Sequence, residues 1–304
     1  MSSPLIVLVG PTATGKSRLA VDVAKALAER GRAAEIINAD SMLIYRGMDI
    51  GTAKPTPDER AAIPHHLIDI AEVTQTASVA DFQALARDVI EELRGRGVVP
   101  ILVGGSALYT RAIVDRFDFP GVDAAVRAKW EAELDRVGAE ALHAHLASVA
   151  PGSAAKIEPG NGRRTVRALE VLELTGGHQP HIAEWTYELD DVHQFGLTLD
   201  RELLDARIDA RVEQMWDEGL VDEVRALLTR GLRDGVTAVR AIGYRQVVEF
   251  LDGHLTEAEA KAKVKKATRS FFRKQLGWYR RDPRICWLDA NDGTNAATIL
   301  AQVS

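Results

Sequence analysis

The 304-residue chain lacks the residues that would build a disulfide-linked or zinc-binding protein, because Cys286 is its only cysteine. Aromatic residues make up only 6% of it, and no apolar run approaches the roughly 20 residues that a membrane helix needs. The first residues, Met1-Ser-Ser-Pro, lack the basic and apolar segments of a signal peptide. We therefore expect a cytoplasmic protein without membrane contact, and nothing in the sequence requires more than a monomer.

The chain also lacks an overall positive charge, since its formal net charge is −6. One segment departs from this average: Lys261–Arg284 contains ten basic residues and a single acid, Asp282. Because the rest of the chain is acidic, this segment favours contact with a nucleic-acid backbone over a merely solvated helix. Its aromatic residues Phe271, Phe272 and Trp278 are instead predicted to pack into the protein core.

The most informative motif is the octapeptide Gly10-Pro11-Thr12-Ala13-Thr14-Gly15-Lys16-Ser17. It fits G-x-x-x-x-G-K-[S/T], the phosphate-binding P-loop, and it lies between an apolar strand pattern and a helical one. We predict that its backbone N–H groups and the following helix N-terminus hold phosphate. Lys16 would reach the outer phosphate, and the Ser17 hydroxyl would face phosphate or Mg²⁺. The motif leaves open whether the ligand is a nucleoside triphosphate.

The first 110 residues alternate between strand and helix patterns, which predicts a parallel sheet with helices on both faces. Strands are predicted at Leu5–Val9, Ala34–Ala39, His66–Ile70 and Val98–Val103, and a helix is predicted to begin at Ser78. The predicted fold class is therefore α/β, a P-loop NTPase-like parallel sheet flanked by helices. Residues 1–110 and 191–304 would form this core, and residues 111–190, which read as helices without a strand, would form a small inserted domain. A short helical piece is predicted near Ile182–Glu184.

Three polar elements follow predicted strands, at the edge where ligands of such sheets bind. They are the P-loop, Asp40-Ser41 and Gly104-Gly105-Ser106. Asp40 could hold Mg²⁺ through water or act as a general base, although Asp-Ser is also common turn chemistry.

Two arginine clusters remain ambiguous from spacing alone. Arg207 and Arg211 share a helix face and could clamp a diphosphate, but pairing with nearby acids on the surface is favoured. Arg163, Arg164 and Arg167 lie within five residues, and a phosphate-backbone contact is about as plausible as a solvated helix start.

Together these motifs resemble the tRNA dimethylallyltransferase (isopentenyl-tRNA transferase) family of bacterial type. The resemblance covers nearly the whole chain, and its motifs occur in the family's order. They are the P-loop, Asn38–Pro55 (NADSMLIYRGMDIGTAKP), Ile63–Asp69 (IPHHLID), Val103–Tyr109 (VGGSALY), Arg163–Glu170 (RRTVRALE) and Ala241–Gln246 (AIGYRQ). One departure is Ser106, where the family usually has Thr; the hydroxyl is kept.

The resemblance implies that a dimethylallyl group moves from dimethylallyl diphosphate to the N6 amine of the adenosine immediately 3′ of the tRNA anticodon. The P-loop would then hold a diphosphate leaving group. By the same resemblance, Asp40 matches the base, Arg211 the diphosphate-contacting arginine, and Ser17 the hydroxyl that contacts diphosphate and metal. Lys16, the P-loop amides and Mg²⁺ would share the charge of the departing diphosphate.

The resemblance further implies contacts with the tRNA anticodon stem-loop. The matching positions are Asp40, Ser41, Met42, Leu43, Ser106, Arg127, Arg163, Arg164, Arg167, Gly243, Tyr244, Arg245 and Gln246. The basic segment would add phosphate contacts, including Arg269 and Arg273, and the target base would be flipped out of its stack.

Three other functions compete with this interpretation. A small-molecule P-loop kinase would explain the loop and Asp40, but not the basic segment. A prenyltransferase acting on free adenine nucleotides would need neither that segment nor the insertion. A tRNA-binding protein without activity would not need a P-loop aligned with an acid.

Overall fold

The computed structural model describes residues 3–76, 78–117, 119–176 and 185–303. The chain divides into two compact units, residues 1–115 together with 185–304, and residues 116–184. Residues 111–115 and 185–190, which were predicted to be part of the inserted domain, belong to the larger unit. The reason is local: Asp115 forms a backbone bridge with Tyr187, and its buried carboxylate accepts from Arg111 and Arg284.

The larger unit is built on a six-stranded sheet in which every pair is parallel and the order is β3-β2-β4-β1-β5-β6. The strands are β1 (Leu5–Val9), β2 (Ala34–Asn38), β3 (His65–His66), β4 (Val99–Gly104), β5 (Val192–Thr198) and β6 (Cys286–Asp289). Because β1, β2 and β4 run in the same direction, the P-loop, Asp40 and Gly105 follow three strands at one edge of the sheet.

The thirteen α-helices of the described residues surround this sheet or form the smaller unit. They are α1 (Lys16–Glu29), α2 (Pro57–Ala62), α3 (Val79–Gly95), α4 (Ala107–Val114), α5 (Ala124–Val137), α6 (Ala139–Val149), α7 (Pro151–Ala154), α8 (Gly162–Leu174), α9 (Arg201–Asp217), α10 (Leu220–Thr229), α11 (Tyr244–Leu251), α12 (Glu257–Tyr279) and α13 (Asn295–Gln302).

The strand β1 separates two hydrophobic layers, because its side chains alternate between the faces of the sheet. Leu5, Val7 and Val9 join a core with α3, α4, α10 and α11, whereas Ile6 and Leu8 join a second core with α1 and α13. All five side chains are buried. This double covering explains the continuous apolar pattern from which the strand was predicted.

The smaller unit is helical, and it has its own core. Helix α8 packs against both α5 and α6. Leu142, Leu146, Val166 and Leu169 are buried at the centre of this unit, with Trp130 packed at its side. The predicted helical piece at Ile182–Glu184 lies outside the described residues.

The structure differs from the predicted elements in several places. The third strand has two residues, because Leu67 and Asp69 adopt left-handed backbone angles of +60° and +57°. The pattern of residues 238–252 predicts one continuous helix, but the chain is interrupted at Gly243, whose φ is +97°, and α11 begins after it. The helices α2 and α4 were not predicted. No helix in the described ranges is long and apolar enough to cross a membrane.

Candidate active site

The P-loop depends on backbone angles that favour glycine. Gly10 and Gly15 have φ values of +137° and +88°, and Ala13 between them is at +65°. A Cβ atom on Gly10 would lie 3.0 Å from the carbonyl oxygen of Leu197, so the adjacent strand β5 also requires a glycine there. The Thr14 hydroxyl donates to the Pro11 carbonyl at 2.9 Å, which closes the loop at the start of α1.

Lys16 is folded back onto its own loop, where its Nζ donates to the Pro11 carbonyl at 2.6 Å. Burial lowers the pKa of the Lys16 ammonium to about 8, while the negative charge of Asp40 raises it and Arg211 lowers it. Three charged groups from different elements therefore act on one another at this edge of the sheet. Ser17, at the first turn of α1, is exposed.

Asp40 has both of the properties that the sequence analysis treated as alternatives. Its Oδ1 accepts from the backbone N–H of Met42 at 2.9 Å, which is turn chemistry. The other oxygen, Oδ2, has no hydrogen-bond partner within the described ranges of the chain, and it lies 3.5 Å from where a Cβ on Gly105 would stand. One carboxylate oxygen thus fixes the side chain, and the other is available to a ligand.

Gly104 at the end of β4 is followed by Gly105 and Ser106. A Cβ on Gly105 would lie 3.5 Å from Asp40 Oδ2 and 3.9 Å from the Gly10 carbonyl oxygen, so this loop faces Asp40 and the P-loop. A Cβ on Gly104 would lie 2.8 Å from the Cβ of Ala39, so only glycine allows this close approach to β2. Ser106 is partly buried, and it precedes α4 without capping that helix through its side chain.

The two arginines that share a predicted face of α9 have different surroundings. Arg207 is exposed, and it donates to Asn291 at 3.0 Å. Burial lowers the pKa of Arg211, and the charges of Asp40 and Glu218 oppose that shift. Arg211 therefore belongs to the charged group at the P-loop, and Arg207 does not. The preference from spacing alone for a surface position is therefore corrected for Arg211, whereas Arg207 does lie at the surface.

The oxygen atoms available here suit a magnesium ion that is bound partly by the protein and partly by a phosphate group. Among the described residues, no group of three or more His, Cys, Asp or Glu side chains could hold a metal by itself. Mg²⁺ is usually held by one or two protein oxygens together with substrate phosphates and waters. The Ser17 hydroxyl and the Asp40 carboxylate could supply such oxygens beside the P-loop.

Half of the cations in the basic segment are already paired. Arg269 donates to Asp205 and Asp209 of α9, and Lys261 and Lys265 both contact Glu213 of the same helix. The remaining two pairs are Lys263 with Glu249 and Arg284 with Asp115 and Asp282. The structure therefore corrects the prediction for Arg269: its guanidinium joins α12 to α9 and is not free for a phosphate.

The other cations of this segment are exposed. Lys266 and Arg273 lie seven residues apart and so share one face of α12, and Arg280 follows at the same interval directly after the helix. None of the three has an ion pair in the part of the chain that the structure describes. Of the three aromatic residues that were predicted to be buried, only Phe272 is; Phe271 is 42% exposed and Trp278 is 50% exposed.

The predicted RNA contacts at Gly243–Gln246 are mostly internal. Tyr244 is buried and its hydroxyl donates to Glu223 at 2.6 Å, and Gln246 is buried and accepts from the Gly243 N–H at 2.9 Å. A direct RNA contact by these two side chains is therefore corrected to a supporting one. Only Arg245 is exposed in this stretch.

Tyr244 supports the loop after Asp40 through Glu223, which also accepts from the backbone N–H groups of Asp49, Ile50 and Gly51. A Cβ on Gly51 would lie 2.5 Å from the Tyr244 ring. The motif around Tyr244 thus anchors the loop that follows Asp40. Glu223 was not singled out in the sequence, since a lone glutamate on a helix carries no distinguishing pattern.

In the smaller unit, the predicted RNA-contacting arginines differ in availability. Arg127 and Arg167 both pair with the buried carboxylate of Glu170, at 2.8 and 2.9 Å. Burial raises the pKa of Glu170, but the hydrogen bonds from Arg167 and Arg127 outweigh it and the pKa is lowered. Arg163 and Arg164 are exposed at the start of α8.

The lowered pKa of Lys16 predicts a pH dependence for the binding of inorganic diphosphate. The charged ammonium binds the anion, so affinity is greatest below pH 8 and falls by up to roughly tenfold per pH unit above it. In Lys16→Arg the cation stays charged, so this decline should disappear, while the titration of diphosphate itself is common to both proteins. Calorimetry from pH 6.5 to 9.5 measures the ratio of the two proteins' affinities for diphosphate. Parallel curves of affinity against pH would contradict the role of the Lys16 ammonium in binding.

Tyr244→Phe is expected to lower the free energy of unfolding by about 1 kcal/mol, because one buried hydrogen bond to Glu223 is lost. Its affinity for tRNA should stay within a factor of two. The matched variant Arg245→Ala should show the reverse, with weaker RNA binding and unchanged stability. Urea unfolding and filter binding measure both; weaker RNA binding in Tyr244→Phe at unchanged stability would contradict the buried role.

Comparison with solved structures shows the same fold over nearly the whole chain. A tRNA isopentenylpyrophosphate transferase from Bacillus halodurans matches with a TM-score of 0.72 and 39% identity, covering 99% of this chain and 97% of that one. A eukaryotic dimethylallyltransferase acting on tRNA matches with a TM-score of 0.79 and 25% identity, covering 99% of this chain and 77% of its own.

Comparison with known sequences gives higher similarity. The tRNA dimethylallyltransferases of Kineococcus radiotolerans and Thermobifida fusca are 57% and 56% identical to this chain. The alignments cover 99% and 98% of this chain, and 95% and 94% of the relatives. The family model described as IPP transferase matches residues 43–282. With a P-loop, a strand-end aspartate and a partly buried arginine gathered at one sheet edge, the chain belongs to the IPP transferase family.

Proposed function

We propose that this protein transfers a dimethylallyl group from dimethylallyl diphosphate to the exocyclic N6 amine of the adenosine immediately 3′ of a tRNA anticodon, releasing diphosphate. The observation that carries the proposal is the group formed by Lys16, Asp40 and Arg211, whose charges act on one another beside the P-loop. Two cations and phosphate-binding amides suit a diphosphate, and the carboxylate suits an amine that loses a proton.

The cations act on the leaving group. As the bond between the allylic carbon and its oxygen breaks, negative charge builds on the diphosphate. The amides of the P-loop, the Lys16 ammonium and the Arg211 guanidinium would stabilise that charge in a partly dehydrated site. Lys16 first has to leave the Pro11 carbonyl, to which it now donates.

The carboxylate acts on the acceptor. The N6 amine of adenine is a weak nucleophile, so its attack needs close positioning and removal of a proton. Asp40 Oδ2 would accept that proton, while Oδ1 stays bonded to the Met42 N–H and holds the side chain in place. The electron pair of the amine forms the new C–N bond, and the pair of the broken C–O bond leaves with diphosphate.

Mg²⁺ would be held by the Ser17 hydroxyl, by diphosphate oxygens and, through water, by Asp40. When bound, it would neutralise part of the diphosphate charge.

The exposed arginines and lysines are the proposed tRNA contacts. They comprise Arg163 and Arg164 in the smaller unit, and Arg245, Lys266 and Arg273 in the larger one, together with the loop Ser41–Leu43 and Ser106. All of these positions are at least partly exposed, as a phosphate or base contact requires. Arg127 and Arg167 would contribute indirectly, through their ion pairs with Glu170.

Incubation with labelled dimethylallyl diphosphate, Mg²⁺ and one acceptor at a time tests the proposal. The acceptors are unmodified tRNA, the same tRNA with guanosine at the position 3′ of the anticodon, AMP and ATP. Label should enter only the first tRNA. Label in AMP, transfer to the guanosine variant, or ATP turnover without prenyl transfer would refute the proposed reaction.

Asp40→Asn is predicted to lower transfer by roughly 10²- to 10⁴-fold, because the amide keeps the shape of the side chain but cannot take the proton. Binding of tRNA should remain within roughly tenfold of the unaltered protein, an effect no larger than one lost phosphate contact. Single-turnover transfer and filter binding measure the two quantities. Unchanged single-turnover rates would show that Asp40 is not the base that takes the proton.

Lys266→Ala and Lys263→Ala form a matched pair on α12, since each removes one lysine charge. Within the described residues Lys263 is ion-paired, with Glu249, and Lys266 is not. Lys266→Ala should weaken tRNA binding and reduce the slope of log affinity against log salt by about one. Lys263→Ala should change neither by as much. Equal slopes in both variants would show that this face of α12 is a solvated surface that does not contact tRNA.

A further inference from the structure

Gln275 of α12 connects two of the loops that form the site. Its Oε1 accepts from the backbone N–H of Thr12 in the P-loop at 3.3 Å, and its Nε2 donates to the carbonyl oxygen of Gly105. The side chain is 95% buried. A glutamine is suited to this place because one amide group offers an acceptor and a donor in fixed geometry.

The contacts of Gln275 belong to one face of α12, on which Phe272, Gln275 and Tyr279 recur at intervals of three and four residues. Phe272 packs with Leu204 and Ile208 of α9 in a cluster that includes Ala13 of the P-loop. The Tyr279 hydroxyl lies 3.4 Å from the Gly104 carbonyl. This face therefore contacts the ends of both β1 and β4.

Asp40 lies within reach of the same connection. A Cβ atom on Gly105 would stand 3.0 Å from Gln275 Nε2 and 3.5 Å from Asp40 Oδ2. It would also stand 3.9 Å from the carbonyl oxygen of Gly10. Gly105 is thus the point at which the glutamine, the carboxylate and the first residue of the P-loop converge.

We propose that Gln275 is a positioning residue of the transfer reaction, which holds the P-loop and the Gly105 loop at a fixed separation and so sets the distance between the diphosphate and Asp40. The inference rests on the proposed function for its reaction. Gln275 does not touch the reacting atoms; it acts through Thr12 and Gly105.

The expected consequence is a loss in turnover more than in substrate binding. Misplacement of reacting groups by about 1 Å can cost roughly 10²-fold in rate. Gln275 contacts the P-loop at the Thr12 amide, which it already occupies, while Lys16 bonds to Pro11 instead, so affinity for diphosphate should change little.

Gln275→Met tests this, because methionine has a similar length and cannot make either hydrogen bond. The matched control is Gln194→Met, which removes a second buried glutamine that bonds Tyr187 and Asp282, away from the P-loop. We expect Gln275→Met to lower kcat by roughly 30- to 100-fold with KM for dimethylallyl diphosphate within threefold. Gln194→Met should keep kcat within threefold, even if its melting temperature falls as much as that of Gln275→Met.

Gln275→Glu adds a readout that loss of stability does not produce. A protonated glutamic acid can still donate to Gly105 and accept from Thr12, whereas the ionised form cannot donate. The ratio of its kcat to that of the unaltered protein should therefore rise as pH falls. The nearby ionisable groups are Asp40, Lys16, Arg211 and Tyr279; because both proteins contain them, the ratio removes their own titration.

Three outcomes would overturn the proposal: an unchanged kcat in Gln275→Met, an equal loss in Gln194→Met, or a pH-independent ratio for Gln275→Glu. If Gln275→Met does not fold, the pH ratio of the glutamate variant decides. Failure of the proposed function is distinguishable, because the unaltered protein would then not label tRNA. Hydrogen exchange of the Thr12 amide, measured in the free protein, would in that case still test the connection: it should speed up at least tenfold in Gln275→Met, and unchanged exchange would overturn it.

Discussion

The parallel pairing of β1 with β4, and of β4 with β2, is the constraint on which the rest of the site depends. Parallel strands end at the same edge, so residues that are 30 to 100 positions apart in the sequence come together there without any further device. The P-loop, Asp40 and Gly105 each follow one of these strands. The glycines at positions 10 and 104 then allow the neighbouring backbones to approach closely.

The charges at that edge are arranged by burial. Lys16 and Arg211 are both partly withdrawn from water, which lowers the pKa of each, and Asp40 opposes the shift in both. Two such cations share only one carboxylate within this group, and an incoming diphosphate would supply further negative charge. The site is therefore better suited to binding a polyanion whose charge grows during the reaction than to hydrolysing a neutral substrate.

Much of the fold was readable from the sequence, because β1, β2 and β4 are buried on both sides and their apolar runs are continuous. The P-loop and Asp40 could be predicted because each follows a predicted strand, and ligands of parallel sheets bind where the strands end. The two-residue β3 was not, since Leu67 and Asp69 leave the extended region in a way that hydrophobicity does not record.

The sequence could not predict which charged and polar side chains of the site pair with one another. The basic segment Lys261–Arg284 has a strong local charge excess, but many of its partners lie far away in the sequence, on α9 about 60 residues earlier and in Asp115. Tyr244 belongs to a specific motif, yet its burial against Glu223 appears only when α10 and α11 are packed together. Gln275 had no signal at all, because a glutamine within a cationic helix looks solvated.

The central claim is that the P-loop holds the diphosphate of an allylic substrate and not a nucleoside triphosphate. Phosphorus-31 NMR of a complete reaction, containing dimethylallyl diphosphate, Mg²⁺, unmodified tRNA and ATP, tests it most directly. The account predicts one inorganic diphosphate for each dimethylallyl group transferred, with the ATP signals unchanged. Appearance of ADP or orthophosphate in step with transfer, or ATP consumption without diphosphate release from the allylic substrate, would contradict it.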